Sequence, residues 1–352
     1  MTLQAIQERI REAAAQTRPL RLRGGGTKDF YGERFEGEVL DTRVHAGIVD
    51  YEPSELVITV RCGTPLTEVE STLNSRGQCL PFEPPYFGPQ ATIGGCVAAG
   101  FSGPRRMSVG ALRDYVLGVK LVDGQGRALS FGGQVMKNVA GYDVSRLLAG
   151  SLGTLALISD VSLKVLPVPP VEQTMRLQMS EREALRALND WGGQPLPISA
   201  SAWHAGELHL RLSGAPAAVD AAYRRIGGER LSVDAGLKWW SDVREQKLAF
   251  FQSLESLWRV AVPTIAEPLI LPGTQFIEWN GGLRWWKTTA PAELVREAAS
   301  QRRGHATLFR TPAPQGDRFT SLEAAALRIH RNLKAVFDPA GIFNRGRLYA
   351  DW

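Results

Sequence analysis

Three consecutive glycines, Gly24 to Gly26, follow the short run RPLRLR and lead into TKDFYG. A glycine triplet is entropically costly to order, so it suits a place where backbone must come close to something else. A strand running into such a loop lets the amides approach a phosphate unhindered, and Thr27 adds a hydroxyl donor. The loop lacks the Gly-Lys-Ser/Thr step of a Walker motif and the spacing of a GxGxxG fingerprint, so an ordinary tight turn stands beside the phosphate reading.

Two further segments share this bias toward small residues. ATIGGCVAAGFSGPRR (91–106) allows a flat ring to lie against backbone, or a loop to pack tightly on a helix. AGSLGTLALISDVSLKVLP (149–167) reads as a glycine–serine turn entering a strand. The chain has 352 residues, which at roughly 150 per domain favours two domains. Its 41 basic and 36 acidic residues are interspersed, which argues against a nucleic-acid footprint. No apolar run approaches the ~18 residues of a membrane span. MTLQAIQERIREAAAQTRPL reads as a polar amphipathic helix without the apolar core of a signal peptide. Cys62, Cys79 and Cys96 are too few and too scattered for a disulfide framework or an iron–sulfur motif, so a cytosolic compartment is expected.

Strand signals dominate the first 170 residues: RPLRLR, Glu55 to Val60, and a hairpin of Tyr115 to Val122 with Ala128 to Phe131 around DGQGR. A helix is expected after Thr64 as cap and Pro65 at its first position, with Leu66, Val69 and Leu73 on one face and a stop at Gly77. Leu155 to Leu166 is strand-rich and ends at Pro167 to Pro170, the natural domain boundary. Beyond it, strand, helix, two strands, helix and a strand at Leu257 to Val262 follow the order of a ferredoxin-like sandwich. WWSDVREQKLAFFQ interrupts that order as an irregular stretch. A last helix, capped by Ser321, puts Leu322, Ala326, Ile329, Leu333 and Val336 on one face and stops at DPAG.

In this order and spacing, the three small-residue segments resemble the FAD-binding domain of the vanillyl-alcohol oxidase family. The resemblance is strongest to the branch holding the flavoprotein subunits of bacterial glycolate oxidase and the D-lactate dehydrogenases. It is carried by VAGYD (139–143), GSLGTL (150–155), LKVLP (163–167), PPYFGPQATIGG and the C-terminal FDPAGIFNRGRLY. It covers nearly the whole chain and is looser over 171–300. It implies an α+β fold: a two-lobed FAD domain of the p-cresol methylhydroxylase (PCMH) type over 1–170, a ferredoxin-like cap over 171–300, and a segment, 301–352, returning to the flavin. By the same resemblance Gly24, Gly25, Gly26 and Thr27 cradle the pyrophosphate. Thr92, Gly94 and Gly95 lie beside the phosphate and ribityl part, near Pro81 and Gly103. Asp114, Gly150, Ser151, Gly153, Thr154 and Ile158 surround the adenosine and ring-side walls, and Asn344 reaches the flavin ring. Arg345 stands where the family has a proline, which puts the local turn in question. The glycine loop holds no histidine for a covalent link, so non-covalent FAD is expected.

The implied role is that of one subunit of a complex oxidising glycolate to glyoxylate, beside a larger FAD-linked subunit and an iron–sulfur subunit, with any contact to the inner membrane made through those partners. Such chemistry needs a cation for the carboxylate and a base for the hydroxyl proton. His305 is the base candidate, and Arg310 and Arg284 are carboxylate clamps, since a guanidinium binds carboxylate with two parallel hydrogen bonds. His45 and His330 read as structural. His204 and His209, with Glu207, look like a shortened echo of the family's metal pair. They lie five apart rather than seven and lack its Asp-Gly-Asn core, so no metal is expected. The family's Gly-Glu-His-Gly segment has no counterpart after Gly304. Trp239–Trp240 and Trp285–Trp286 fit either core packing or an interface. A second reading therefore stands: FAD as a structural or electron-relay cofactor in a chain that holds the complex together. A third, a cell-wall enolpyruvyl reductase, would need a cap that binds NADPH, and the segment from VAGYD to LKVLP argues against it.

Overall fold

The computed structural model describes residues 2–33, 36–133, 143–312 and 317–349, and the chain divides into two compact units. The first comprises Met1–Phe101, Ala111–Val168 and Ser321–Trp352; the second comprises Ser102–Gly110 and Pro169–Thr320. One crossing falls inside the proline run, where backbone donors are missing and a helix or inner strand cannot continue. The segment 139–142 of the VAGYD motif lies outside the described residues.

The first unit is built on a five-stranded antiparallel sheet in the order Ile48–Glu52, Val57–Arg61, Leu157–Lys164, Val116–Val122, Ala128–Gly132. The expected hairpin is there, and Asp123 closes its turn by accepting from the amides of Gln125 and Arg127. The opening helix, Leu3–Ala15, is capped by the Thr2 hydroxyl and buries Ile6, Ile10 and Ala13. They pack with Leu20, Leu40, Val122, Leu157, Ile342 and Phe343, so both ends of the chain share one core. Leu20–Arg23, entering the glycine loop, pairs in parallel with Glu38–Asp41 and bridges to Phe343. The helix expected after Thr64 runs from Leu66 to Asn74. Thr64 does not cap it: the hydroxyl instead accepts from the Gly47 amide and donates to the Arg61 carbonyl.

The last helix, Ala324–Phe337, departs from the expected face: Ala326 and Leu333 are half-buried on it, but two of its apolar positions turn outward. Ile329 is 57% exposed and Val336 67%, whereas Lys334 and Phe337 are buried. The reason is polar. Lys334 Nζ donates to Asp338 Oδ2 at 2.7 Å, to the Thr154 carbonyl at 2.7 Å and to the Phe343 carbonyl at 2.9 Å. The Asp338 carboxylate also accepts from the amides of Ile342 and Phe343. Burial pushes the Lys334 ammonium below its usual range, and Asp338 opposes that shift.

The second unit carries an eight-stranded antiparallel sheet in the order Glu229–Arg230, Val171–Gln178, Glu207–Gly214, Ile198–His204, Thr274–Glu278, Leu283–Lys287, Leu257–Ala261, His305–Arg310. This is the ferredoxin-like order twice over, joined where Ile198–His204 meets Thr274–Glu278. In the first half Glu181–Gly192 and Pro216–Ile226 cover Met175, Leu208, Leu210 and Leu212. In the second half Ala292–Ser300 covers Trp258, Val260, Trp286 and Ala306. The position of its other helix is taken by the loop 262–273, which seats Val262 and Leu269 on the same cluster. WWSDVREQKLAFFQ is not irregular: Val233–Arg244 is a helix capped by Ser232, and Trp240 Nε1 donates to Thr174 Oγ1 on the sheet.

Lys334→Met leaves Asp338 buried without its cation. We expect it to destabilise the chain by about 3–5 kcal/mol, read as a fall in the urea midpoint, with partial recovery on adding Asp338→Asn. A loss under about 1 kcal/mol would remove the role given to this pair.

Candidate functional site

Two adjoining hollows open in the first unit, of about 540 and about 390 Å³, sharing Leu22, Gly24, Gly95, Ala98 and Leu152 as walls. The larger is lined by the loop from Arg23 to Asp29, by Thr92 and Ala99, and by Asn344 and Arg347. The smaller is lined by Thr42, Cys62, Gly94, Gly153, Ala156, Leu157 and Ile158.

Glycine is required here for a geometric reason. A Cβ on Gly25 would stand 1.5 Å from the Gln90 carbonyl oxygen, so the loop is pressed onto the turn before Thr92. Thr92 caps the helix Ile93–Ala99 through its hydroxyl and brings Gly95, Ala98 and Ala99 to the wall. Arg23 pairs with Asp29 at 2.7 Å, and Lys28 Nζ reaches the Tyr86 carbonyl at 3.1 Å. Arg347 donates to the carbonyls of Lys28 and Asp29, fixing the loop from the far end of the sequence. Asn344 works alongside it: its side-chain carbonyl accepts from the Leu22 amide at 2.8 Å and its Nδ2 donates to the Leu152 carbonyl at 2.6 Å. Asn344 adopts φ +39°, and the Arg347 amide returns to its carbonyl at 3.0 Å. Arg345, in place of a proline, folds its side chain back onto the Gly341 carbonyl.

The larger hollow thus offers bare glycine backbone and a hydroxyl, which suit a diphosphate, with Lys28 and the Arg23–Asp29 pair at its wall and Arg347 bracing the loop. The smaller offers a mostly apolar slot that suits a flat ring. Burial pushes the Cys62 thiol up to about 12, so it stands in that wall as a neutral thiol.

Of the residues expected to contact a cofactor, Gly24, Gly25, Gly26, Thr27, Thr92, Gly94, Gly95, Gly153, Ile158 and Asn344 line these hollows. Gly150, Ser151 and Thr154 shape the turn behind Gly153 instead; Thr154 Oγ1 donates to the Ser151 carbonyl. Pro81 is buried outside the lining, and Asp114 accepts from the Ala111 amide in a helical turn. Gly103 belongs to the second unit, where its carbonyl accepts from Trp279 Nε1. Sequence reasoning missed Arg23, Lys28 and Arg347; the signal for Arg347 was its place in FNRGRLY, three residues after Asn344.

The candidate catalytic residues all lie in the second unit and do not form one group. Arg284 is 0% exposed and its guanidinium is taken by main chain: it donates to the carbonyls of Ala266, Glu267 and Gly281. It pins the loop that replaces the missing helix, which corrects its reading as a carboxylate clamp. Burial pushes its pKa down to about 10, against the pull of Glu181 4.0 Å away. Arg310 Nη2 donates to Gln246 Oε1 at 3.0 Å. His305 opens the last strand of the sheet, opposite Ala261. The surrounding protein, and after it the Arg259 charge, hold its imidazole below the usual range.

His204 and His209 do not gather. His204 Nδ1 meets the Gln275 carbonyl at 2.8 Å, and His209 stacks on Trp239 with ring centres 3.8 Å apart. Among the described residues no group of three His, Cys, Asp or Glu is placed to hold a metal. His45 stands 3.7 Å from Asp160 and is held below its usual range by burial. Among the described residues no helix is long and apolar enough to cross a membrane.

The FAD binding domain family matches residues 2–132. Glycolate oxidase subunit GlcE of Escherichia coli (strain K12) is 45% identical over 99% of this chain and 97% of its own length. Glycolate oxidase subunit GlcD of Bacillus subtilis (strain 168) is 33% identical over 36% of this chain and 27% of its own. Among solved structures, p-cresol methylhydroxylase with substrate bound superposes with a TM-score of 0.70 at 13% identity, over 99% of this chain and 88% of that one. Alkyldihydroxyacetonephosphate synthase gives 0.67 at 14% identity, over 96% and 74%. These likenesses establish the PCMH-type fold.

Two outcomes follow. Asn344→Ala leaves the Leu22 amide and the Leu152 carbonyl without their partner; at about 1–3 kcal/mol for each orphaned group, the urea midpoint falls and FAD titration shows weaker binding. An unchanged FAD titration would detach Asn344 from the cleft. His209 is held near pKa 4, chiefly by burial, with Arg176 lowering it and Glu207 and Glu229 raising it. Its unfolded form binds the proton more tightly, so its share of stability is complete above about pH 6.5 and falls by roughly 3 kcal/mol toward pH 4. His209→Gln removes that share of the pH dependence, measured as unfolding free energy against pH; identical profiles would refute it.

Proposed function

The chain belongs to the family of glycolate oxidase subunit GlcE, and on that premise we propose that it is the FAD-binding subunit of a glycolate oxidase complex. In that complex glycolate becomes glyoxylate and the electrons pass to partner subunits, a larger FAD-linked chain and an iron–sulfur chain. The observation that carries this reading is the cleft in which the glycine loop, the Thr92 helix, the Gly153 turn and the C-terminal Asn344 and Arg347 converge. The glycine backbone of Gly24 to Gly26, with Lys28, would hold the diphosphate, Thr27 would add a hydroxyl bond, Arg347 would brace the loop, and Ala156 to Ile158 would wall the ring. With no histidine in Gly24 to Thr27 and Cys62 kept as a thiol, binding is non-covalent. When bound, FAD supplies a two-electron acceptor for the carbon–hydrogen bond of a 2-hydroxy acid.

What the chain itself contributes to substrate chemistry rests on His305. An imidazole held below its usual range is neutral at pH 7, so it can accept the hydroxyl proton. Arg310 remains the carboxylate partner from the original pair, since Arg284 is committed to main chain.

A second reading, FAD as structural or relay cofactor in an assembly subunit, is favoured by one observation. His204 and His209 are each committed to packing rather than to a shared ligand.

Anaerobic absorption spectra of the purified full chain separate the two. We expect flavin absorption that is released on denaturation. Bleaching by glycolate supports catalysis by this subunit, and bleaching only after partner subunits are added supports the relay reading. No flavin, even after incubation with FAD, would overturn the proposal. In the assembled complex, His305→Ala lowers turnover by about 100-fold or more if the histidine is the base; unchanged turnover removes it from the chemistry.

A further inference from the structure

The last helix of the first unit, Ala324–Phe337, carries four apolar residues at alternating intervals of three and four: Ala326, Ile329, Leu333 and Val336. That spacing keeps them on one line, the seam along which one helix packs on another. A surface helix ordinarily turns such a seam onto the core. Here another side is turned in, because Lys334 reaches Asp338 and the carbonyls of Thr154 and Phe343. The seam is left at the margin: Ala326 and Leu333 are half-buried, and Ile329 and Val336 are exposed. Ala324, Ala325 and Ala335 are exposed beside it, so the surface there is flat and a second helix axis can come close.

Three properties of this face select its occupant. It is a line rather than a pocket, which fits a helix laid along it. Its exposed charged side chains are Arg328 and Arg331, and the segment 324–337 holds no Asp or Glu. An acidic helix complements that charge, whereas a second copy of this chain would bring arginines toward arginines. Its outward bulk is Ile329 and Val336 alone, with no aromatic side chain turned out. A helix that lies in a lipid surface carries Trp, Phe or Leu on that side.

We propose that this face docks a helix of a partner subunit, one with apolar residues at the same spacing and carboxylates beside them. The inference rests on the multisubunit reading above and names the surface through which the chain joins its partners. The platform is rigid. The ammonium that turns the seam outward also holds the carbonyls next to Gly153 and Asn344, so the docking helix is bonded to the backbone of the FAD cleft. Little order remains to be imposed when the partner arrives.

The test is sedimentation velocity of the purified full chain, holding FAD, mixed with the separately purified larger FAD-linked and iron–sulfur subunits. We expect Ile329→Glu combined with Val336→Glu to weaken assembly by about ten-fold or more. Arg328→Glu should weaken it by a smaller factor that added salt removes. FAD content and thermal midpoint stay at wild-type values, since none of these side chains is buried. Val49→Glu, at an exposed valine elsewhere in the same unit, should assemble like the wild type. If the double variant folds poorly, Arg328→Glu decides alone. Wild-type assembly by the variants, an equal loss in Val49→Glu, or no assembly by the wild type overturns the dock. So does a chain that dimerises by itself through Ile329 and Val336, or one that uses them to bind vesicles of phosphatidylglycerol and phosphatidylcholine. Assembly lost in the variants, with glycolate left untouched by the wild-type complex, would support the dock and refute the glycolate reading. Glycolate oxidised by a complex that the double variant joins like the wild type would do the reverse.

Discussion

One buried ammonium organises the cofactor-binding unit. Lys334 Nζ is shared between the Asp338 carboxylate and the carbonyls of Thr154 and Phe343. Those carbonyls sit next to the two positions that matter most: Gly153, in the wall of the cleft, and Asn344, which ties Leu22 to Leu152. Taking a cation out of water is costly, and the arrangement holds only because every acceptor is in place at once. The N-terminal glycine loop, the turn at 150–154 and the C-terminal tail are far apart in sequence, and this cluster with Asn344 and Arg347 is what joins them. Fixed backbone of that kind suits a site that binds through main-chain contacts, since little order remains to be imposed when the ligand arrives.

How much of this was legible in the sequence depends on whether a residue's role is local. Glycines pressed against backbone have no substitute, so Gly24 to Gly26 marked the cleft from the outset. The hairpin around Asp123 and the first two helices announced themselves by turn chemistry and periodicity. Lys334 did not, because a lysine on an amphipathic helix reads as solvated; its burial is set by Asp338, Thr154 and Phe343, which no helical periodicity can reveal. For the same reason the outward apolar face of Ala324–Phe337 read as core. Arg347 was hidden similarly, its partners being carbonyls more than 300 residues away.

The second unit shows a different limit. Its first half was readable because two helices alternate with strands in a familiar order. Its second half omits one helix, and the chain compensates with a loop held by a fully buried arginine. A guanidinium suits that role: it presents donors in several directions and can gather carbonyls that a helix would have satisfied internally. Arg284 therefore resembles a functional arginine in sequence, while its surroundings make it a structural one. A charged residue in a cap domain of this type is informative only once its acceptors are known.

The same criterion separates the histidines. His209 lies on the sheet face opposite the apolar core, yet it is stacked on Trp239 and too deeply buried to hold a proton near neutral pH. His305 is depressed as well, again chiefly by burial, with the Arg259 charge adding to the shift as Arg176 does at His209. What distinguishes the rings is what they touch: His209 is stacked on Trp239, and His204 is bonded to the Gln275 carbonyl and lies edge-on to Phe250.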